Sequence, residues 1–230
     1  MKRAVVLLSG GMDSSTLLKV LQKDQYEIRA LGVHYGQRHA KELQAAKLIA
    51  DWAGVPYDVV DLGVLKSVVL KNNSQTDDID VPEGHYAEDN MKATVVPNRN
   101  MIMLSVATAY AISHDMNFVA YAAHAGDHAI YPDCREMFIE QLDKAMQLCH
   151  YTPIKLLAPF ANRSKAEIAA IGFFDKVPFE LTWSCYKGGE IHCGKCGTCV
   201  ERREAFYLSG TTDPTVYEDN TPIQVLLGSK

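Results

Sequence analysis

The sequence predicts an α/β protein with a doubly wound parallel sheet, and three observations carry that expectation. Apolar strand-like runs alternate with helical patterns, a glycine turn joins the first run to the first helix, and four cysteines crowd a short C-terminal stretch. A chain of 230 residues, 47% of them hydrophobic, can fill a sizeable core. We expect one large α/β domain over 1–180 and a small appended segment over 181–230.

The first run, Ala4 to Leu8, leads into SGGMDSS and then into Leu17, Leu18, Val20 and Leu21 at helical spacing. Ile28 to Tyr35 is the second strand. Leu43, Ala46, Ala50 and Ala53 mark a helix closed by Gly54 and Pro56, and Tyr57 to Asp61 completes a βαβ crossover. Lys71 to Val96 is polar and rather acidic, longer than the roughly 12 residues that bound most loops in compact domains. It reads as a mobile lid or partner surface, or else as a disordered surface excursion. Met101 to Ile112 is apolar nearly all round and predicts a helix packed between the sheet and another layer. Phe118 to Ala123 is the fourth strand. After Pro132, Phe138, Leu142, Ala145 and Cys149 predict one helix face, with Cys149 a small core hydrophobe. Ile154 to Ala158 is the fifth strand.

The stretch Ser9 to Ser15 carries the chemistry. Gly10 and Gly11 free the backbone so that amide N–H groups converge on an anion at the positive end of the first helix. A Walker loop needs a lysine after its glycines, and a dinucleotide fingerprint needs GxGxxG; neither is present. The stretch resembles the SGGxDS loop of the ATP pyrophosphatase superfamily, which cleaves ATP between its α and β phosphates. That resemblance makes Leu8, Ser9, Gly10, Gly11, Met12, Asp13, Ser14, Ser15, Thr16, Leu17 and Leu18 the expected nucleotide-binding segment.

Cys185, Cys193, Cys196 and Cys199 form the second signal. Thiolates two residues apart on a glycine-bearing turn can point inward together, and four of them complete a tetrahedral zinc site. The C-x2-C-x2-C portion also resembles iron–sulfur ligation, but the fourth cysteine favours a closed structural zinc site. His192 is expected to be exposed and is left out of the ligand set. The clustering argues for metal in a reducing compartment rather than a secreted disulfide scaffold.

Charge and hydropathy exclude other classes. The net charge is −5 and no Lys/Arg block offers a footprint for nucleic-acid phosphates. The longest apolar-rich stretch, Val95 to Ile112, is broken by Pro97, Asn98, Arg99 and Asn100, and MKRAVVLLSGG lacks a secretion signal, so a cytoplasmic protein without a membrane partner is expected.

Taken in order, SGGMDSST, HYGQRH at 34–39, VPNRN at 96–100, YPDCR at 131–135, SKAEI at 164–168, TWSCYKGG and CGKCGTC resemble the 7-cyano-7-deazaguanine synthases of queuosine precursor biosynthesis. Two stretches depart from that family's pattern: Asn98 stands where a glycine is commoner, and AAHAGDHAIYPDC differs from NAxDxSxYPDC. The resemblance implies an adenine nucleotide alpha hydrolase-like fold, a homodimer, and a carbon–nitrogen ligase. It would convert 7-carboxy-7-deazaguanine and ammonia to the nitrile with ATP and Mg2+, by adenylation through an amide. Asp13, Arg99 and Lys165 are then the expected catalytic residues: Asp13 fixes the loop or approaches the metal, and the two cations approach the phosphates. The acidic residues after the fourth strand, Asp127, Asp133 and Glu136, are candidates to accept the N–H groups of the deazaguanine ring, with Asp133 preferred. Cys134 is either a core thiol or a substrate contact, and His124 and His128 are expected to be solvated. Residue 2 is Lys2 rather than a glutaminase cysteine, so free ammonia or a separate donor is expected. A tRNA thiolase of the same superfamily and a non-catalytic nucleotide-binding module are the alternatives.

Overall fold

Five strands, β1 (Arg3–Leu7), β2 (Glu27–His34), β3 (Tyr57–Asp61), β4 (Phe118–Ala120) and β5 (Lys155–Leu157), form one parallel sheet ordered β3-β2-β1-β4-β5. The computed structural model describes residues 2–37, 41–66, 68–70, 72–77, 79–84 and 89–227. All five expected strands are present. The fourth and fifth are shorter than their apolar runs, and Tyr121 to Ala123, past the end of β4, line a cleft.

Alternation along β1 explains the double winding. Val5 and Leu7 face a core built with Leu104, Ala107 and Ala111 of α3 (Arg99–Ser113) and Leu142 and Met146 of α4 (Glu136–Gln147). Val6 and Leu8 face the opposite core, shared with Leu17, Leu18 and Leu21 of α1 (Met12–Lys23), Ala46, Ile49 and Ala50 of α2 (Lys41–Ala53), and Ile168 of α5 (Lys165–Phe174). A strand buried on both faces reads as a continuous apolar run, and β1 does. The chain steps from β1 outward to β2 and β3 on one side, then crosses back to β4 and β5 on the other side of β1. A crevice therefore opens at the carboxyl ends of β1 and β4, where open α/β sheets hold ligands.

Three expectations about elements are corrected. Met101 to Ile112 is helical but not enclosed: Met101, Ser105 and Ala109 form an exposed stripe along α3. In α4 the buried positions are Leu142 and Met146, Ala145 is exposed, and the helix ends at Gln147. Cys149 therefore lies beyond it and is exposed, not a core residue. The polar connection is not a mere surface excursion either, since Asn73, Ser74, Gln75, Thr76, Met91, Thr94 and Val96 are buried. Asn73 stays hydrated by protein: its Oδ1 accepts from the Gln75 and Thr76 N–H groups, and its Nδ2 donates to the Leu70 carbonyl. Lys71, Asp78 and 85–88 of that connection lie outside the described residues, as do Arg38 and His39 of HYGQRH.

The cysteine segment is built onto the sheet domain. Phe206 of α6 (Gly197–Ser209) packs edge-on against Phe179 at 5.1 Å, in a small core with Met12, Ala169, Val177 and Ala205. Arg202 is fully buried there, and its guanidinium donates to the Thr182 hydroxyl at 2.7 Å, the Phe179 carbonyl at 3.0 Å and Asp213 at 3.3 Å.

Candidate active site

The turn after β1 is held open by its own serines. Ser9 Oγ lies 3.0 Å from Ser14 Oγ, and the Ser15 hydroxyl donates to the Gly11 carbonyl at 2.7 Å. Gly10 has φ +80°, and a Cβ there would stand 2.4 Å from the Glu42 carbonyl oxygen and 2.5 Å from the Ala46 nitrogen, so only glycine lets α2 approach the turn. From across the molecule the Trp183 N–H donates to the Gly10 carbonyl at 2.9 Å, tying the cysteine segment to the turn. The first N–H groups of α1 have no intrahelical acceptor and carry the positive end of its dipole into the cleft.

Leu8, Ser9, Gly11, Met12, Asp13 and Ser14 line that cleft. Gly10, Ser15, Thr16, Leu17 and Leu18 do not; they are buried behind it, with the Thr16 hydroxyl bonded to the Met12 carbonyl and the leucines in the sheet core.

A charge cluster stands beside the turn. Lys165 Nζ lies 3.1 Å from Asp13 Oδ2 and 2.6 Å from Glu201 Oε2, and all three side chains are largely buried. Burial works against charge on Lys165, but Asp13, Glu201 and Asp127 outweigh it and hold the ammonium above the ordinary lysine range. Burial likewise raises the Glu201 carboxyl, opposed by Lys165 and His124. His124 is 1% exposed, so the expectation of a solvated loop histidine is corrected. Its Nδ1 accepts from the Gly126 N–H at 3.1 Å, which leaves the ring proton on Nε2, facing Asp127 at 3.5 Å and Asp13 and Glu201 at 3.9 Å. Asp13 Oδ1 is buried with no hydrogen-bond partner among the described residues.

Of the other predicted residues, Arg99 lines the cleft with its guanidinium over Tyr131 at 5.7 Å and Tyr35 at 6.0 Å, and makes no ion pair among the described residues. It opens α3 after Asn98, whose φ of +56° is a left-handed conformation that asparagine tolerates and glycine would adopt freely. Asp127 lines the cleft. Asp133 and Glu136 do not: Asp133 Oδ2 accepts the Asn100 N–H at 3.0 Å at the start of α3, and Glu136 is exposed near Asn162. Cys134 is buried, accepts a hydrogen bond from Asn100 Nδ2 at 3.2 Å, and has its thiol pushed up by burial. His128 is half-buried.

Sequence reasoning missed Glu42, Glu201, Tyr121, Trp183 and Tyr186, which also line the cleft. Tyr35 was inside the HYGQRH motif, and Glu201 follows the last cysteine; Glu42 carried no local signal. The Tyr121 hydroxyl is buried and unpartnered.

The four cysteines are buried and their sulfurs lie within 4.8 Å of one another. The Cys193 and Cys199 sulfurs are 3.9 Å apart, near the roughly 3.8 Å that tetrahedral Zn–S bonds of about 2.3 Å require. The Cys193 N–H donates to Cys185 Sγ and the Cys196 N–H to Cys193 Sγ, an arrangement that favours thiolates. His192 is buried, not exposed: its Nε2 accepts the Ser184 N–H at 3.1 Å, its ring stacks on Trp183, and burial pushes its pKa down to about 4.

Comparison with known proteins places this architecture. Two solved structures share the fold at low identity. One is the U34-tRNA thiolase NcsA from Methanococcus maripaludis with its 4Fe-4S cluster (15% identity, TM-score 0.53, covering 96% of this chain and 76% of that one). The other is an NMN synthetase from Francisella tularensis (13%, TM-score 0.50, 98% and 83%). Relatives named 7-cyano-7-deazaguanine synthase are far more similar. The Hahella chejuensis protein is 50% identical over 94% of this chain and 93% of its own length. The Allorhizobium ampelinum protein is 51% identical over 94% and 93%. The family model described as Queuosine biosynthesis protein QueC matches residues 3–210, and the chain belongs to that family.

Proposed function

We propose that this chain is an ATP-dependent carbon–nitrogen ligase that converts 7-carboxy-7-deazaguanine and ammonia to 7-cyano-7-deazaguanine. The name carried by its relatives at about half identity supports that product. The observation that carries the ATP chemistry is the turn Ser9 to Ser14, which opens α1 at the switch point of the sheet beside the buried Asp13. A carboxylate oxygen is a poor leaving group; adenylating it lets ammonia displace AMP, and a second activation of the amide oxygen lets the nitrile form.

In this reading the amides and hydroxyls of the turn hold the pyrophosphate portion, fixed dipoles meeting charge that develops as the α–β bond breaks. Asp13 Oδ1, an orphaned buried carboxylate oxygen, suits a magnesium ion, which would neutralise charge on the phosphates. Lys165 fixes Asp13, and Arg99, which makes no ion pair among the described residues, is placed to meet an anion of the substrate or nucleotide. Asp127 is the predicted substrate carboxylate that remains in the cleft.

Zinc is the proposed occupant of the cysteine site. Four sulfurs this close together suit one ion, because thiolates that ligate different irons of a cluster stand farther apart. The ion would staple the segment that carries Trp183, Ser184 and Tyr186 into the cleft.

Thiolase chemistry is disfavoured by Cys134, the described thiol in the cleft outside the cluster, since burial keeps it protonated. No described helix is long and apolar enough to cross a membrane, in keeping with the proposed cytoplasmic location. We also infer a homodimer, which light scattering at working concentration would refute by showing a monomer. The central test incubates the protein with 7-carboxy-7-deazaguanine, ammonium, ATP and Mg2+. Mass spectrometry should find the nitrile, with AMP and pyrophosphate released only when the acid is present; ATP turnover indifferent to the acid would refute the reading.

A further inference from the structure

Four carboxylates face the cleft from described residues: Asp13, Asp127, Glu201 and Glu42. Three are engaged. Asp13 and Glu201 share Lys165, and Asp127 accepts the His124 N–H at 3.2 Å and faces the ring of that histidine. Glu42, in the first turn of α2, makes no hydrogen bond or ion pair among the described residues, and it retains contact with solvent.

Joining ammonia to an acyl adenylate demands a proton acceptor. The nitrogen lone pair forms the C–N bond, the C–O bond to the phosphate breaks with its electron pair leaving on AMP, and the nitrogen is left with one proton too many. A carboxylate already tied to a lysine or to histidine N–H groups is a poor acceptor, because taking the proton breaks a buried ion pair or hydrogen bond. Resting on the ligase reading above, we propose that Glu42 is the general base of the amine step, accepting the proton that the attacking ammonia sheds and returning it to solvent between turnovers.

The surroundings fit that task. Arg99 from α3, Tyr35 after β2 and Tyr186 from the cysteine segment are the titratable or charged groups coupled to the Glu42 carboxyl. Burial raises the carboxyl and Arg99 opposes it, leaving it at about 7. A base works best when its pKa lies near the operating pH, whereas an ordinary glutamate would be a weak acceptor. The positive Arg99 beside it also disfavours ammonium over neutral ammonia near the same spot.

The test separates the two half-reactions. In wild-type protein, ATP–pyrophosphate exchange dependent on 7-carboxy-7-deazaguanine, measured without ammonia, reports adenylation; amide and nitrile measured by mass spectrometry with ammonium chloride report the amine step. Glu42→Gln should keep acid-dependent exchange within about twofold while amide formation falls by roughly 10²–10⁴-fold. With free ammonia held constant as pH varies, wild-type amide formation should rise to a plateau above pH about 7, and the limb should vanish in Glu42→Gln and persist in Glu42→Asp. Glu42→Gln forming amide at the wild-type rate would overturn the proposal. So would its losing exchange as well, which would make Glu42 a reader of the substrate or a prop of the fold. If Glu42→Gln does not fold, a folded Glu42→Asp whose amide formation shows no pH limb would overturn it equally. Wild-type protein without acid-dependent exchange would instead sink the ligase reading itself.

Discussion

Lys165 holds Asp13 and Glu201 in a region largely closed to water, so its removal leaves two buried carboxylates without a cation. Lys165→Met should therefore cost about 3–5 kcal/mol, read from the denaturant midpoint. Adding Glu201→Gln should restore part of that loss, and equal destabilisation in the single and double variants would show that the pair is not energetically coupled. Glu42 gives a second, pH-dependent prediction. Its folded pKa, about 7, lies above the ordinary value of 4.5, so the folded state binds the extra proton and stability falls as pH rises through that window. Glu42→Gln removes the penalty: its Tm should exceed that of the wild type at pH 8 and converge on it near pH 5, with each kcal/mol appearing as about 2–4 °C at this chain length. Of these residues, Asp13 and Lys165 were legible because each sits in a recognisable local motif. Glu42 was not, since nothing within a turn distinguishes it from a solvated helix glutamate, and Glu201 was marked only by following the last cysteine.

Two elements control the geometry of the cleft. Gly10 lets α2 close on the turn after β1, and Gly10→Ala forces a left-handed backbone onto a residue with a Cβ while driving that Cβ into the α2 backbone. A loss of at least about 1–3 kcal/mol is expected, together with weakened ATP binding by calorimetry. The cysteine segment controls the turn from the other side through the Trp183 N–H. Chelation that strips the metal, verified by elemental analysis, should lower both Tm and ATP affinity; metal loss with neither effect would show that the segment is not a staple. Periodicity placed the helices because their apolar spacing is local. It misjudged α4 because a helix face is read only as far as the helix runs, and Gln147 ends it before Cys149. It misjudged the polar connection because asparagine and threonine are buried there on hydrogen bonds that leave no hydrophobic pattern.

The whole molecule behaves as one packed unit in its described part. Met12 of α1, Ala169 of α5 and Phe206 of α6 share a core, so the large domain and the cysteine segment expected from sequence meet over apolar surface and not across a loose linker. Trp52 in α2 and Trp183 beside the cysteines report on the two parts. Far-UV circular dichroism and tryptophan fluorescence should therefore give coincident thermal transitions, whereas an early loss of Trp183 signal would mark an independently unfolding segment. The sequence by itself determined the elements, the phosphate-type turn and the four-cysteine spacing, because strand and helix periods, glycine freedom and ligand geometry act over a few neighbouring residues. Only the tertiary structure decided which side chains converge on the cleft. The sheet order brings β1 beside β4 and draws α2, α5 and α6 around the same turn, and a residue's distant neighbours depend on that packing rather than on anything in its own stretch of chain.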